Sequence, residues 1–370
     1  MKTLTALVVV FFALHVVPST KAWSAESSLP RTTPEAQGIA SEVIRKFIES
    51  ADQRIHTLHS FMMLRHGHVV ADAWWKPEAP EKKHILWSLS KSFTATAVGL
   101  AVAEGRLQLD DPVLKFFKEE GPENPGENLR AMRVRDLLTM SSGHDVEPKF
   151  DFSVGPSVQG FLQHPVVHRP STRFRYNTPG SYMLSAIVTK ATGGTVLEYL
   201  KPRLFAPLGI DAPEWAATPE GYSLGGYGLF IRTEDIAKFG QLYLQKGVWE
   251  GKPILPASWV AEATAKQVDN SKAPSAKSID WQQGYGFQFW RCQHGCYRGD
   301  GRDGQICLVL PDQDAVIAIT AQTGQMQEEL NLIWEILLPA FGPKPLPANE
   351  TEVTKLKGAV ANLVAHPAKK

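Results

Sequence analysis

Apolar residues recur at two different periods along this chain, and the period changes with position. Between Ser41 and Ser50, Val43, Ile44 and Phe47 share one face at helical spacing, which predicts an amphipathic helix. Phe61–Leu64 and Val69–Trp75 flank Arg65-His66-Gly67-His68, which predicts a β-hairpin with its two histidines in the solvent-facing turn. From Leu89 to Glu104 the helical period returns at Phe93, Ala97, Leu100 and Ala101 and stops at Gly105, a residue suited to a left-handed cap. Val134–Met140 and Tyr182–Ala191 read as further helices. Thr195 and Glu198 have capping-box spacing and open a helix to about Leu204, and Glu234–Gln245 follows. The last third turns to short apolar runs bounded by Gly, Pro or Asp: Gly226–Ile231, Tyr285–Trp290, Ile306–Leu310 and Ala315–Thr320, closed by a helix over Leu330–Leu338.

These elements predict an α+β fold, an antiparallel sheet flanked by helices and assembled from both ends of the chain. Residues 32–110 and 225–341 form the sheet domain, 111–224 a mainly helical insert, and 342–370 a poorly packed Pro-rich and charged tail. The first 22 residues follow another pattern. Lys2, the apolar run Leu4–Val17 and the small residue Ala22 have the layout of a secretory signal peptide, too short for a comfortable membrane span. The expectation is a periplasmic or secreted protein without a stable span after signal removal.

Composition narrows the partners. The chain has 370 residues, 43% hydrophobic and 21% charged, with a net charge of +1 and mixed signs throughout. No basic cluster marks a nucleic-acid surface, so nucleic acid is not an expected partner. Of the three cysteines, Cys292 and Cys296 flank Gln293-His294-Gly295. In an oxidising compartment they are expected to form a disulfide. The rival reading is a metal site with His294, which lacks a fourth ligand. Cys307 lies in an apolar run and reads as an inert core thiol.

The candidate chemistry begins at Trp87-Ser88-Leu89-Ser90-Lys91-Ser92-Phe93. Residues three apart on a helix share a face, so Ser88 and Lys91 meet. A lysine buried one turn inward loses proton affinity and can act as a base toward the serine. The bland alternative is an exposed helix start with a solvated lysine. His144-Asp145 reads as structural, and Trp281 and Tyr285 either line a cleft or pack in the core.

The company this motif keeps resembles the serine hydrolases of the class C β-lactamase, DD-peptidase and 6-aminohexanoate-oligomer hydrolase family. The resemblance spans about Thr32 to Leu338. It rests on Ser88-Leu89-Ser90-Lys91, Leu107–Val113, Val134–Gly143, Pro207–Ile210 and Gly225–Leu229 in family order. It implies a β-lactamase/transpeptidase-like fold and places Tyr176 of Arg175-Tyr176-Asn177-Thr178 on the family's catalytic tyrosine. Thr178 stands where lactamases carry an asparagine, with Asn177 one position away as a candidate substrate contact. Arg302-Asp303-Gly304-Gln305 takes the place of the family's cationic third motif, with Asp303 a departure from it. The resemblance further implies an oxyanion hole from the backbone N–H groups of Ser88 and Gln305, and no metal or organic cofactor. The expected partner is a small ester or amide cleaved through acyl-Ser88. Alternatives are a DD-peptidase, a true β-lactamase, or a non-catalytic binder of the same fold.

Overall fold

The computed structural model describes residues 28–149, 151–155 and 157–366, so the expected signal peptide lies outside the described residues. The buried Glu35 carboxylate accepts the Ser41 backbone N–H at 2.7 Å and starts α1 (Ser41–Arg54). β1 (Leu58–Arg65) and β2 (His68–Trp74) follow as an antiparallel hairpin turning at His66-Gly67, both with positive φ. A 3-10 turn over Trp87–Leu89 then leads into α2 (Ser90–Ala103).

The next stretch is helical and turn-rich, with α3 (Val134–Leu138), α4 (Thr178–Thr192) and α5 (Val196–Leu200). The reciprocal Thr195–Glu198 capping box starts α5. After α6 (Thr233–Leu244) come β3 (Trp290–Arg291), β4 (Tyr297–Gly301), β5 (Gln305–Leu310) and β6 (Ala315–Ala321). The chain closes through α7 (Met326–Leu332) and α8 (Glu350–Ala361).

The sheet order is β2-β1-β6-β5-β4-β3, antiparallel throughout. The first hairpin thus pairs with strands more than two hundred residues away. Alternation divides each strand between two cores. Met62, Leu64, Cys307, Val309, Val316 and Ala318 pack with α2, α4 and α6. Phe61, Met63, Ile306, Leu308, Ile317 and Ile319 face the opposite side, with α1, α7 and α8. No described helix is long and apolar enough to cross a membrane.

Several expectations need correction. The strand over Gly226–Ile231 shortens to Leu229–Ile231, and of Tyr285–Trp290 only Trp290 is in a strand, while β4 was not foreseen. The tail is packed where it forms α8: Asn349 caps it, Leu356 and Leu363 are buried, and Arg45 lies 3.5 Å from Glu352. Val353, Leu356 and Val360 recur at helical spacing on α8, and Leu356 and Val360 join the core against α1.

The expected Cys292–Cys296 disulfide is absent; all three cysteines are free and buried. His294 adopts a left-handed conformation in the connecting turn, and the two thiols face different partners. Cys292 Sγ lies 2.9 Å from the Arg298 guanidinium, whereas Cys296 Sγ faces the His294 carbonyl at 3.5 Å. Burial raises the Cys292 thiol to about 11, so it is protonated at neutral pH.

Candidate active site

Ser88 sits in the 3-10 turn, half-buried, immediately before α2. The turn is tight enough to hold Trp87 at φ 45°, a conformation that costs a non-glycine residue energy and persists only where surrounding packing enforces it. α2 is buried almost all round, so its polar side chains need internal partners. They have them: the Ser92 hydroxyl donates to Gln288 O, Thr94 to Gly225 O and Thr96 to Ser92 O, and the Ser90 hydroxyl accepts from the Leu229 N–H. This satisfied lattice fixes the first turn of the helix, where Lys91 lies.

Lys91 Nζ is 3.0 Å from Ser88 Oγ, 2.7 Å from the Gly226 carbonyl and 3.5 Å from Thr178 Oγ1. It also lies 5.0 Å from the Tyr176 ring centroid. Burial dominates its electrostatics and lowers it from the ordinary lysine range to about 7, despite the opposing pull of Glu147 and Asp300. A neutral form of Lys91 is therefore accessible near pH 7. The Tyr176 hydroxyl is a polar neighbour of Ser88, and burial followed by the Asp300 charge raises its proton affinity, so it is a neutral phenol. Gly226 must be small: a Cβ there would lie 2.6 Å from Thr178 Cγ2.

Ser88, Lys91, Tyr176 and Thr178 thus converge. Asn177 does not: it is buried, and its Oδ1 accepts the Gly180 N–H at 2.9 Å as the N-cap of α4 while its amide faces Ser142. A side chain held in this way is unavailable to substrate. The Thr178 N–H instead donates to Glu147 at 2.6 Å, which brings a carboxylate to the mouth of the site.

The Arg302–Gln305 segment also differs from expectation. Arg302, Asp303 and Gly304 form the turn between β4 and β5. The Arg302 side chain is 74% exposed, pairs loosely with Asp303 at 3.7 Å and lies 5.7 Å from the Trp87 ring centroid. Gly304 faces inward to α7, where a Cβ would stand 2.6 Å from Glu329 Oε1. Gln305 belongs to an interior strand opposite Gly301, with its side-chain amide donating to Ala321 O at 2.6 Å. Gln305 is the first residue of that strand, and the pairing with β6 begins one residue on, at Ile306.

The segment lying on the Ser88 turn is Gly299–Gly301. A Cβ at Gly301 would stand 2.1 Å from Leu86 O, and one at Gly299 2.5 Å from Ser92 Oγ. β3 pairs with β4 only at Tyr297 and Arg298, so the edge beyond is free of a neighbouring strand and borders the site. Asp300 on this segment pairs with the fully buried Arg298 at 2.9 Å.

Of the other candidates, His144 is buried and lowered by burial to about 4, and it contacts Ser142 through Nδ1. Tyr285 is core, while Trp281 lies against Arg298. Gly221-Tyr222-Ser223-Leu224-Gly225 has nucleophile-elbow spacing, but Ser223 is buried with its hydroxyl accepting the Leu197 N–H. It lacks the strand-turn-helix context that chemistry would need.

Known proteins bear on this arrangement. A 6-aminohexanoate-dimer hydrolase of Paenarthrobacter ureafaciens is 24% identical over 310 residues, covering 77% of this chain and 78% of that protein. In structure, an octameric penicillin-binding protein homologue from Pyrococcus abyssi superposes with a TM-score of 0.65 at 21% identity, over 83% of this chain and 79% of the other. EstCE1, a hydrolase with promiscuous acyltransferase activity, gives 0.66 at 16% identity over 82% and 99%. These solved structures establish the shared β-lactamase/transpeptidase fold. The Beta-lactamase family model matches residues 44–340, and the chain belongs to that family of serine hydrolases.

Proposed function

We propose that the protein cleaves a small ester or amide through a covalent acyl-Ser88 intermediate. The observation that carries this reading is the 3.0 Å contact between Ser88 Oγ and a buried lysine whose proton affinity is lowered to about 7. Ser88 Oγ attacks the carbonyl carbon and forms the C–O bond while its proton passes to neutral Lys91. Tyr176, beside Ser88, relays that proton to the leaving alkoxide or amine as the scissile bond breaks. Water, deprotonated by the same pair, then hydrolyses the acyl-enzyme. The Ser88 N–H and the open edge of Gly299–Gly301 supply the donors for the oxyanion, a contribution of about 3 kcal/mol per donor. Thr178, in place of the lactamase asparagine, and the nearby Glu147 favour esters and open-chain amides over lactams. The Lys2–Ala22 pattern supports export of the mature chain to the periplasm or medium.

Two measurements on p-nitrophenyl esters test this. Ser88→Ala is expected to abolish turnover; a variant as fast as wild type removes the reading. Lys91 must be neutral to accept a proton, and it is neutral above about 7. kcat/KM should therefore fall as pH drops through 7, approaching tenfold per unit below it. A profile flat from pH 8 to 5 contradicts Lys91 as base.

A further inference from the structure

Asp300 is a fully buried carboxylate on the strand that borders the nucleophile, and the acyl transfer outlined above does not use it. Its surroundings are specific. The Arg298 guanidinium, two residues earlier on the same face of β4, reaches it through Nε at 3.0 Å and Nη2 at 2.9 Å. Arg298 is itself locked: it donates to Asp280 O at 2.9 Å, touches Cys292 Sγ and lies 4.2 Å from the Trp281 ring centroid. The Trp290 side chain is a polar neighbour of Asp300, and Trp290 is paired with Arg298 across the β3–β4 ladder. The Tyr176 ring is stacked on Trp290, with centroids 5.6 Å apart and planes at 16°. Phe174 and Tyr285 meet Trp290 edge-on and close the stack.

We propose that Asp300 is a positioning residue for acyl transfer: anchored by Arg298, it fixes the Trp290 indole on which Tyr176 rests and places the Arg298-paired carboxylate beside Lys91. Tyr176 and Lys91 stand on different elements, and Trp290 and Asp300 tie both to the paired strands β3 and β4. Arg298 donates one hydrogen bond to Asp300 Oδ2 through Nε and holds Nη2 at ion-pair distance from the same oxygen, a charge-assisted contact that holds the carboxylate rather than letting it rotate toward substrate. The charged and titratable groups around the pair are Glu147 from the loop after α3, Tyr176 ahead of α4, Tyr285, Cys292, Arg298 on β4 and Glu329 from α7. Among them Asp300 and Glu147 raise the proton affinity of Lys91, and burial opposes both.

This inference rests on Ser88 being the nucleophile, so the test separates the two. The rate of Ser88 labelling by a fluorophosphonate and kcat and KM for a p-nitrophenyl ester are measured against pH in wild type, Asp300→Asn, Asp300→Glu and Trp290→Phe. Absence of labelling in wild type refutes the nucleophile and leaves this proposal without its reaction. With labelling present, Asp300→Asn should lower kcat about ten- to hundredfold with KM little changed, the expected effect of a misplaced group. Its acidic limb should move to lower pH, because removing the negative charge makes Lys91 easier to deprotonate. Asp300→Glu, which keeps the charge, should restore the limb. Trp290→Phe keeps an aromatic ring under Tyr176 but drops the indole N–H; its kcat should fall several-fold with the limb unmoved. A folded Asp300→Asn protein whose profile superposes on wild type overturns the proposal. If that variant does not fold, Trp290→Phe with wild-type kcat overturns it equally.

Discussion

The first turn of α2 and the segment Gly299–Gly301 enclose Ser88 from opposite sides, and different forces hold them. α2 is an apolar helix whose serines and threonines are satisfied by neutral hydrogen bonds, and its only cation, Lys91, is kept partly uncharged by burial. β4 is polar in sequence yet completely buried, and it carries the full Arg298–Asp300 charge pair. Its glycines let the backbone approach the Ser88 turn more closely than any side chain would permit. The helix therefore delivers reactive groups, while the strand delivers backbone and fixed charge. The turn beyond it, with Arg302 three-quarters exposed, does neither.

Substitutions can separate these roles. The largest effect is expected on the helix: Lys91→Met should lower kcat/KM for an ester by more than about a thousandfold, since the base is lost outright. A loss under tenfold would move the base elsewhere. Next is the strand: at Gly301 an added Cβ would lie 2.1 Å from Leu86 O, and backbone cannot swing aside as a side chain can. Gly301→Ala should cost about 2 kcal/mol by denaturant titration and at least tenfold in kcat/KM, through overpacking and a displaced Ser88 turn. Unchanged stability would mean that the two segments are not in contact. The smallest effect belongs to the turn: Arg302→Ala should change kcat/KM less than about threefold, because its charge is solvent-screened. A larger loss with a raised KM would return Arg302 to the role of substrate cation.

The same contrast explains what was legible in the sequence. α2 announced itself through Phe93, Ala97, Leu100 and Ala101 and through the Ser88–Lys91 spacing, and the hairpin through two apolar runs around Gly67. The sheet strands β5 and β6 were readable because interior strands are continuously apolar. β4 was not, because Tyr297-Arg298-Gly299-Asp300-Gly301 has two charges and two glycines and resembles a loop until Arg298 and Asp300 are seen to neutralise each other. Missing β4 left Gly299–Gly301, the segment that lies on the Ser88 turn, out of the candidate residues. Asn177 was misread for a related reason: adjacency to Tyr176 in sequence says nothing of direction, and the side chain turns back to cap α4. Glu147 had no signal at all, since it reaches the site only through the fold. The cysteine pair shows the limit of spacing arguments, because the turn between Cys292 and Cys296 turns the thiols to Arg298 and His294 rather than to each other.

The acyl transfer and the positioning role of Asp300 both depend on Ser88 Oγ forming the covalent bond. Intact-mass measurement after brief exposure to a fluorophosphonate at pH 8, followed by peptide mapping, tests that directly. The expected result is a single adduct on the peptide carrying Ser88, absent in Ser88→Ala and much slower to form at pH 5. No adduct, or an adduct that persists in Ser88→Ala, would contradict it.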